Sequence, residues 1–220
     1  MPVQLDERLS CAAALFPACV YGADIGADHG RLSCYLLESG KCQRMCVSDI
    51  SADSLKKARE LLTQRGLLPR ADLAVGDGLL TLPHPAQAIA ILGMGGHTLA
   101  GILQTGKAAL AGAQLILSPH TETALVRKTL SETDYRIEEE KIVRANGRLY
   151  TVLRAAPGTE PLSPRQCFLG PRLMESAEPL YPDYLTWQMG LAAVKRTDRG
   201  RQEYLWLKEE YHRVCNCENR

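Results

Sequence analysis

Five short apolar runs, Val20 to Ile25, Met45 to Asp49, Asp72 to Val75, Ala88 to Leu92 and Ala113 to Leu117, alternate with helix-period segments over the first half of the chain. The runs have the length of buried strands. The stretches between them, Arg31 to Ser39, Ser51 to Leu62 and Leu99 to Ala108, suit helices. Strands separated by helices cannot pair as hairpins, so this order predicts a mainly parallel sheet covered by helices on both faces. An amphipathic helix from about 4 to 16 precedes the first strand, because Leu5, Leu9, Ala13 and Phe16 share one face and Pro17 stops the pattern. After a helix from Glu122 to Leu130 the period changes again. Arg136 to Val143 and Leu149 to Leu153 read as two strands joined by the turn pair Asn146-Gly147. The fold class expected is α/β, a Rossmann-like sheet that is mainly parallel and closed by a C-terminal antiparallel hairpin.

The 220 residues suffice for one sizeable core and a small appendage. Pro157-Gly158-Thr159-Glu160-Pro161 reads as a linker, which divides the chain into a main domain at 1–156 and a C-terminal extension at 162–217. Two helical patterns lie in the extension, near Tyr184 to Arg196 and near Gln202 to Arg213. Joined around Asp198-Arg199-Gly200, they predict an antiparallel, coiled-coil-like pair. No run approaches the roughly 20 apolar residues of a membrane span, and the N-terminus lacks the layout of a signal peptide, so a soluble, cytoplasmic protein with no membrane partner is expected. Eight scattered cysteines in mostly apolar contexts read as reduced thiols. Cys215-Asn216-Cys217 lacks the spacer and second pair of a zinc site, so no metal is expected. A net charge of +1 gives no pervasive positive field, and any nucleic-acid surface must be local. The basic cluster Lys195, Arg196, Arg199 and Arg201 is the candidate for it. Oligomeric state stays open, with a monomer compatible.

The chemistry-bearing residues fall where strands end. Asp24-Ile25-Gly26-Ala27-Asp28-His29-Gly30 stands where the first strand hands over to a helix, and Gly26 and Gly30 let backbone approach a ligand. A dinucleotide turn needs a further glycine and free amides for a pyrophosphate. Here Asp28 occupies that place, and its carboxylate repels phosphate while favouring the ammonium and sulfonium of S-adenosylmethionine. Asp49, followed by Ile50, ends the second strand at the distance where an acidic side chain reaches ribose hydroxyls. Gly76-Asp77-Gly78 ends the third, and Asp77 can accept from an adenine amino group. Gly93-Met94-Gly95-Gly96 follows the fourth strand with room for a flat substrate, and Ser118-Pro119-His120 ends the fifth. Each segment alone also reads as an ordinary turn, or for Asp49 a helix-cap neighbour. A nicotinamide oxidoreductase and a non-catalytic RNA-binding or scaffold protein are the other readings of the set.

Taken together these residues resemble the bacterial tRNA (adenine-22-N1)-methyltransferase family, class I enzymes dependent on S-adenosylmethionine. The family's Asp-Ile-Gly-x-Asp-His turn, Gly-Asp-Gly-Leu segment and Gly-Met-Gly-Gly loop stand in order at Asp24 to His29, Gly76 to Leu79 and Gly93 to Gly96. Asn146-Gly147-Arg148-Leu149-Tyr150 is similar to its hairpin, and Phe168-Leu169-Gly170-Pro171-Arg172-Leu173 to the entry of its C-terminal helices. Two departures are Ser118-Pro119-His120, where the family has Gln-Pro-Asn, and Gly30-Arg31-Leu32-Ser33 after the Asp-His pair. The resemblance implies a methyl transfer to N1 of adenine 22 in tRNA, with the C-terminal helices on the tRNA. The residues placed at the chemistry are Asp28, His29, the Gly93 to Gly96 loop and His120. Those placed on the cofactor are Asp24, Gly26, Asp28, Gly30, Asp49, Ile50, Gly76, Asp77, Gly78 and Gly93.

Overall fold

The computed structural model describes residues 3–217, with side chains through Cys215. Along the chain run α1 (Glu7–Leu15), β1 (Cys19–Ile25), α2 (Arg31–Glu38), β2 (Cys42–Asp49), α3 (Ala52–Gln64), β3 (Ala71–Val75), β4 (Ala88–Leu92), α4 (Gly96–Thr105), α5 (Lys107–Leu110), β5 (Gln114–Ser118) and α6 (Thr123–Glu132). The hairpin β6 (Tyr135–Ala145) and β7 (Arg148–Pro157) follows, then α7 (Pro164–Leu169), α8 (Pro171–Glu175), α9 (Tyr181–Ala193) and α10 (Asp198–Cys217). The seven strands form one sheet in the order β3-β2-β1-β4-β5-β7-β6, parallel from β3 to β5 and antiparallel at β7 and β6. This is the expected Rossmann-like α/β sheet with its closing hairpin.

Strand order reverses between β1 and β4, so the helices leaving these two strands depart to opposite faces and open a crevice at their carboxyl ends. One apolar core, holding Leu36, Met45, Val47 and Leu62, fills the α1, α2 and α3 side. A second, holding Ile89, Leu99, Leu103 and Val126, fills the α4 and α6 side. β4 is buried along its whole length, which explains why Ala88 to Leu92 is an unbroken apolar run rather than an alternating one.

Local chemistry shifts several boundaries. Asp6 accepts the Leu9 amide at 2.7 Å and starts α1 later than its apolar pattern does. Ser51 caps α3 by accepting from the Ser54 amide. In the C-terminal pair the joint is 194–197, and Asp198-Arg199-Gly200 belongs to α10 rather than to the turn. Thr197 Oγ1 accepts the Gly200 amide at 3.0 Å. Gly200 is required there because a Cβ would stand 2.6 Å from that of Lys195 across the tight turn.

The extension is latched to the sheet through buried charge. Arg127 of α6 and Glu140 of β6 are fully buried and pair at 2.7 Å. Arg127 Nη1 also donates to the Cys167 and Phe168 carbonyls, and Glu140 accepts the Arg172 and Leu173 amides. The Phe168 to Leu173 motif is therefore the segment that wraps this pair. Gly170, at φ 99°, has no room for a Cβ, which would lie 2.8 Å from Arg127 Nη2 and 2.9 Å from Glu140 Oε2. The Pro157 to Pro161 segment is fixed as well: Glu160 accepts the Ile137 amide and pairs with Arg172, and its carbonyl takes the Ser131 hydroxyl. A third apolar cluster, centred on Tyr181, Leu185 and Leu207, packs the helical pair on Ile142 of β6.

Candidate active site at the carboxyl edge of the sheet

The turn after β1 is held open by hydrogen bonds to the neighbouring strand. Gly26 and Ala27 both donate to the Ser48 carbonyl at 2.9 Å, and Asp28 N donates to Asp49 Oδ2 at 2.9 Å. Asp49 Oδ1 takes the Ser51 amide at 2.8 Å, so one carboxylate ties the β1 turn to the start of α3. Gly26 is at φ 71° and Asp28 at φ 48°, both left-handed. A Cβ on Gly26 would stand 2.6 Å from Met94 Cε, which places the β1 turn directly against the Gly93 to Gly96 loop. Gly30, at φ 66°, has a different neighbour: a Cβ there would meet that of Ala58 at 2.8 Å, so this glycine lets α2 pack on α3.

Across the crevice, the Gly93 amide donates to the Ser118 carbonyl at 3.0 Å and the His120 amide to the Met94 carbonyl at 2.9 Å. The structure thus brings Gly93, Met94, Gly95, Gly96 and His120 into one wall. Gly96 has a packing role there, since a Cβ would lie 2.5 Å from the Thr121 carbonyl, whereas Gly95 has only ordinary contacts. Asp28 and His29 lie on the opposite wall. Ser54 Oγ donates to Asp28 Oδ1 at 3.3 Å, His29 Nε2 is 3.5 Å from the same oxygen, and Lys57 Nζ is 3.2 Å from His29 Nε2. Among the described residues no hydrogen bond or ion pair joins either side chain to the Gly93 loop. Beyond β2 and β3, Ile50 is 73% exposed despite being apolar, and Asp77 opens the turn at Gly78–Thr81 without capping it by its side chain. Gly76 and Gly78 flank that aspartate.

Electrostatics single out two groups at the base of the crevice. Asp24 is buried, accepts the Ser33 hydroxyl at 2.7 Å, and has its carboxyl pushed up to about 6 by burial, with Ser33 opposing the shift. The charge of Arg8 in α1 acts on it and opposes the shift. Arg8 Nη1 is 3.3 Å from the place a Cβ of Gly93 would occupy, is fully buried, and has no hydrogen-bond partner among the described residues. Its Cζ lies 5.8 Å from the Tyr150 ring, and that ring is 5.3 Å from the His120 imidazole. Burial, then the charges of Arg8 and Arg148, hold the His120 pKa below its ordinary value, which favours the neutral ring.

Sequence patterning passes over Arg8 because an arginine on the polar side of an amphipathic helix looks solvated; its place five residues before Ala13 carries no signal of a buried guanidinium. The basic residues of the extension are more engaged than their clustering implies. Lys195 and Arg199 bond separate oxygens of the buried Glu203 at 3.0 and 2.9 Å, and Arg201 pairs with Asp198 at 3.6 Å. Arg196 makes no ion pair among the described residues. Cys215 is a free thiol, while the side chains of Asn216 and Cys217 lie outside those described. Among the described residues, no group of three or more His, Cys, Asp or Glu is arranged to hold a metal ion, and no helix is long and apolar enough to cross a membrane.

The chain is similar to known proteins in sequence and fold. The tRNA (adenine(22)-N(1))-methyltransferase of Bacillus subtilis is 34% identical over 158 residues, which span 71% of this chain and 66% of that protein. The crystal structure of the B. subtilis m1A22 tRNA methyltransferase TrmK is 26% identical with a TM-score of 0.81, covering 97% of this chain and 98% of that one. A Streptococcus pneumoniae structure in complex with S-adenosyl-L-methionine superposes with a TM-score of 0.88 at 24% identity, over 95% of this chain and 100% of that one. The family model for a methyltransferase domain matches residues 5–153, from the helix that carries Arg8 through the hairpin that carries Tyr150. The chain belongs to the methyltransferase family.

Proposed function

We propose that the chain transfers a methyl group from S-adenosylmethionine to N1 of adenine 22 of tRNA, the activity for which its B. subtilis relative is named. The observation that carries the cofactor reading is the buried Arg8 guanidinium against Gly93, in the same crevice as the buried carboxyl of Asp24. A buried guanidinium nitrogen with no partner among the described residues and a buried carboxyl at the end of β1 suit a ligand bearing a carboxylate and an ammonium on one carbon. Gly26 and Gly93 give its chain room to pass between β1 and β4. Asp49 has lone pairs left for a ribose diol after its two amide bonds, exposed Ile50 offers an apolar face to a purine, and Asp77, between Gly76 and Gly78, accepts from its amine. The bound cofactor supplies a methyl group activated by a sulfonium.

The adenine N1 lone pair attacks without prior deprotonation, so the protein's work is positioning. The Gly93 to Gly96 loop holds the base in line and offers backbone acceptors to its exocyclic amine. His120, tilted against the Tyr150 ring, closes that wall and can take up a proton. Asp28 and His29 face the opening from the α3 side, where negative charge stabilises the cationic ring formed by transfer. Residues 1–156 make the catalytic domain in this reading, and 162–217 the part that grips tRNA, with Arg196 and Arg201 beside Lys195 and Arg199 on phosphates. Incubating the protein with tritiated S-adenosylmethionine and an unmodified tRNA transcript bearing adenine 22 tests this. Label should appear in the tRNA as N1-methyladenine; label on a small molecule, or none, defeats the substrate assignment.

A further inference from the structure

One face of α9 is apolar yet exposed. Tyr181, Leu185 and Ala192 of this helix are buried against the sheet side, yet Trp187, Leu191 and Val194 form a second apolar stripe that is 42%, 44% and 77% exposed. Spaced at i, i+4 and i+7, they share one face. That face forms one wall of a groove of about 960 Å³, whose other wall is the loop after β5 with His120, and Arg148 and Tyr150 of β7. An exposed apolar stripe on a helix that already has a buried one marks a contact surface.

Three features decide what occupies it. The groove is continuous with the reaction site, because His120 lines it and bonds the Met94 carbonyl through its amide. It carries Arg148, Lys195 and Arg199 against Glu122 and Glu203, three cations to two carboxylates. Glu203 is buried and bonded by Lys195 and Arg199 together, so the rim there carries two cations to one carboxylate. Trp187 is braced by Tyr184, whose ring is 5.8 Å away at 55°, and keeps part of its surface open. An indole beside cations is how proteins hold an unpaired nucleotide: the base stacks on the ring and the backbone meets the charge.

We propose that this groove holds a nucleotide of tRNA next to the methylated adenine, with its base stacked on Trp187 and its phosphate toward Arg148 and Lys195. The proposal rests on the tRNA reading above and adds a specific seat to it. An adenine drawn out of folded RNA leaves its neighbour unstacked, and a stacking platform one site away lowers the cost of that exposure.

The chain's only two tryptophans make the test direct. In a Trp206→Phe background, Trp187 fluorescence should be quenched on titration with the unmodified transcript. Trp187→Ala should weaken transcript binding about tenfold or more and raise KM for tRNA, with S-adenosylmethionine affinity by calorimetry unchanged. Trp187→Phe, which retains a ring, should recover most of the loss. If the parent binds and methylates the transcript but Trp187→Ala does so equally well, the groove assignment is wrong while the substrate reading stands. The same conclusion follows if Trp187→Ala abolishes only a self-association seen by sedimentation. A parent that binds no transcript overturns both.

Discussion

Replacing Arg127 with methionine should uncouple the C-terminal helices from the sheet more than any change on the surface. Arg127 and Glu140 are both fully buried, and the guanidinium also serves the Cys167 and Phe168 carbonyls. Removing the cation strands a carboxylate in a dry site, which costs about 3–5 kcal/mol, a large share of the roughly 5–15 kcal/mol that holds a domain together. Glu140 would keep its bonds to the Arg172 and Leu173 amides, so the damage is the unpaired charge and two orphaned carbonyls. The assay is urea unfolding followed in parallel by far-UV circular dichroism and tryptophan fluorescence. Trp187 and Trp206 both sit in the extension, so fluorescence reports on it alone. With a slope of about 2 kcal/mol per molar urea, the midpoint should fall by about 2 M, with fluorescence moving before dichroism. The double variant Arg127→Met with Glu140→Gln should regain part of the loss, because no buried charge remains. A single variant that loses less than about 1 kcal/mol, or a double variant no better than the single, would refute the latch.

Arg8→Ala should raise the Kd for S-adenosylmethionine about 10- to 100-fold, the worth of a charge-assisted hydrogen bond of about 1.5–3 kcal/mol, with Arg8→Lys intermediate; calorimetry showing equal affinities would remove Arg8 from the site. Asp24 gives a pH signature. Its carboxyl is raised by burial from 3.8 to about 6, so the stability it contributes is full below pH 3.8 and is lost as pH rises through about 6, by about 3 kcal/mol in all. Cofactor affinity should run the other way, falling as pH drops below about 6 because the ammonium requires the ionised form. Asp24→Asn should flatten both curves, and an unchanged pH dependence of unfolding or of binding in that variant would show that another group titrates. Gly26→Ala and Gly30→Ala should separate ligand from packing. The first should mainly impair cofactor binding by displacing Met94, and the second should mainly lower the thermal midpoint by pushing α2 off Ala58. Equal effects of the two on both readouts would contradict the distinction.

The sheet was readable because its signals are local: apolar runs of strand length, the helical period between them, and Asn146-Gly147 at the hairpin. The β1 turn was readable for the same reason, since a left-handed Gly26 leaves a mark in any sequence. Residues whose meaning depends on distant partners were not. Arg8 gains its setting from Gly93 and Tyr150, and Arg127 from Glu140 and a carbonyl pair 40 and 41 residues away. Nothing in α6 distinguishes a buried arginine from the exposed Lys128 beside it. Clustering also overstated the charge of the extension, because the Glu203 that offsets one of the two charges of Lys195 and Arg199 lies on the next helix. Gly200 read as a chain break because its packing partner, Lys195, is across the turn.

The most direct measurement is the position of the modification. Two transcripts, one with adenine 22 and one with guanine there, are incubated with the protein and S-adenosylmethionine, digested, and sequenced by mass spectrometry. A methyl group on N1 of adenine 22 in the first transcript, and no methylation of the second, is the result expected of a base held against Gly93 to Gly96 and His120. Methylation of both transcripts at another nucleotide, or of neither while the protein binds the cofactor, would contradict it.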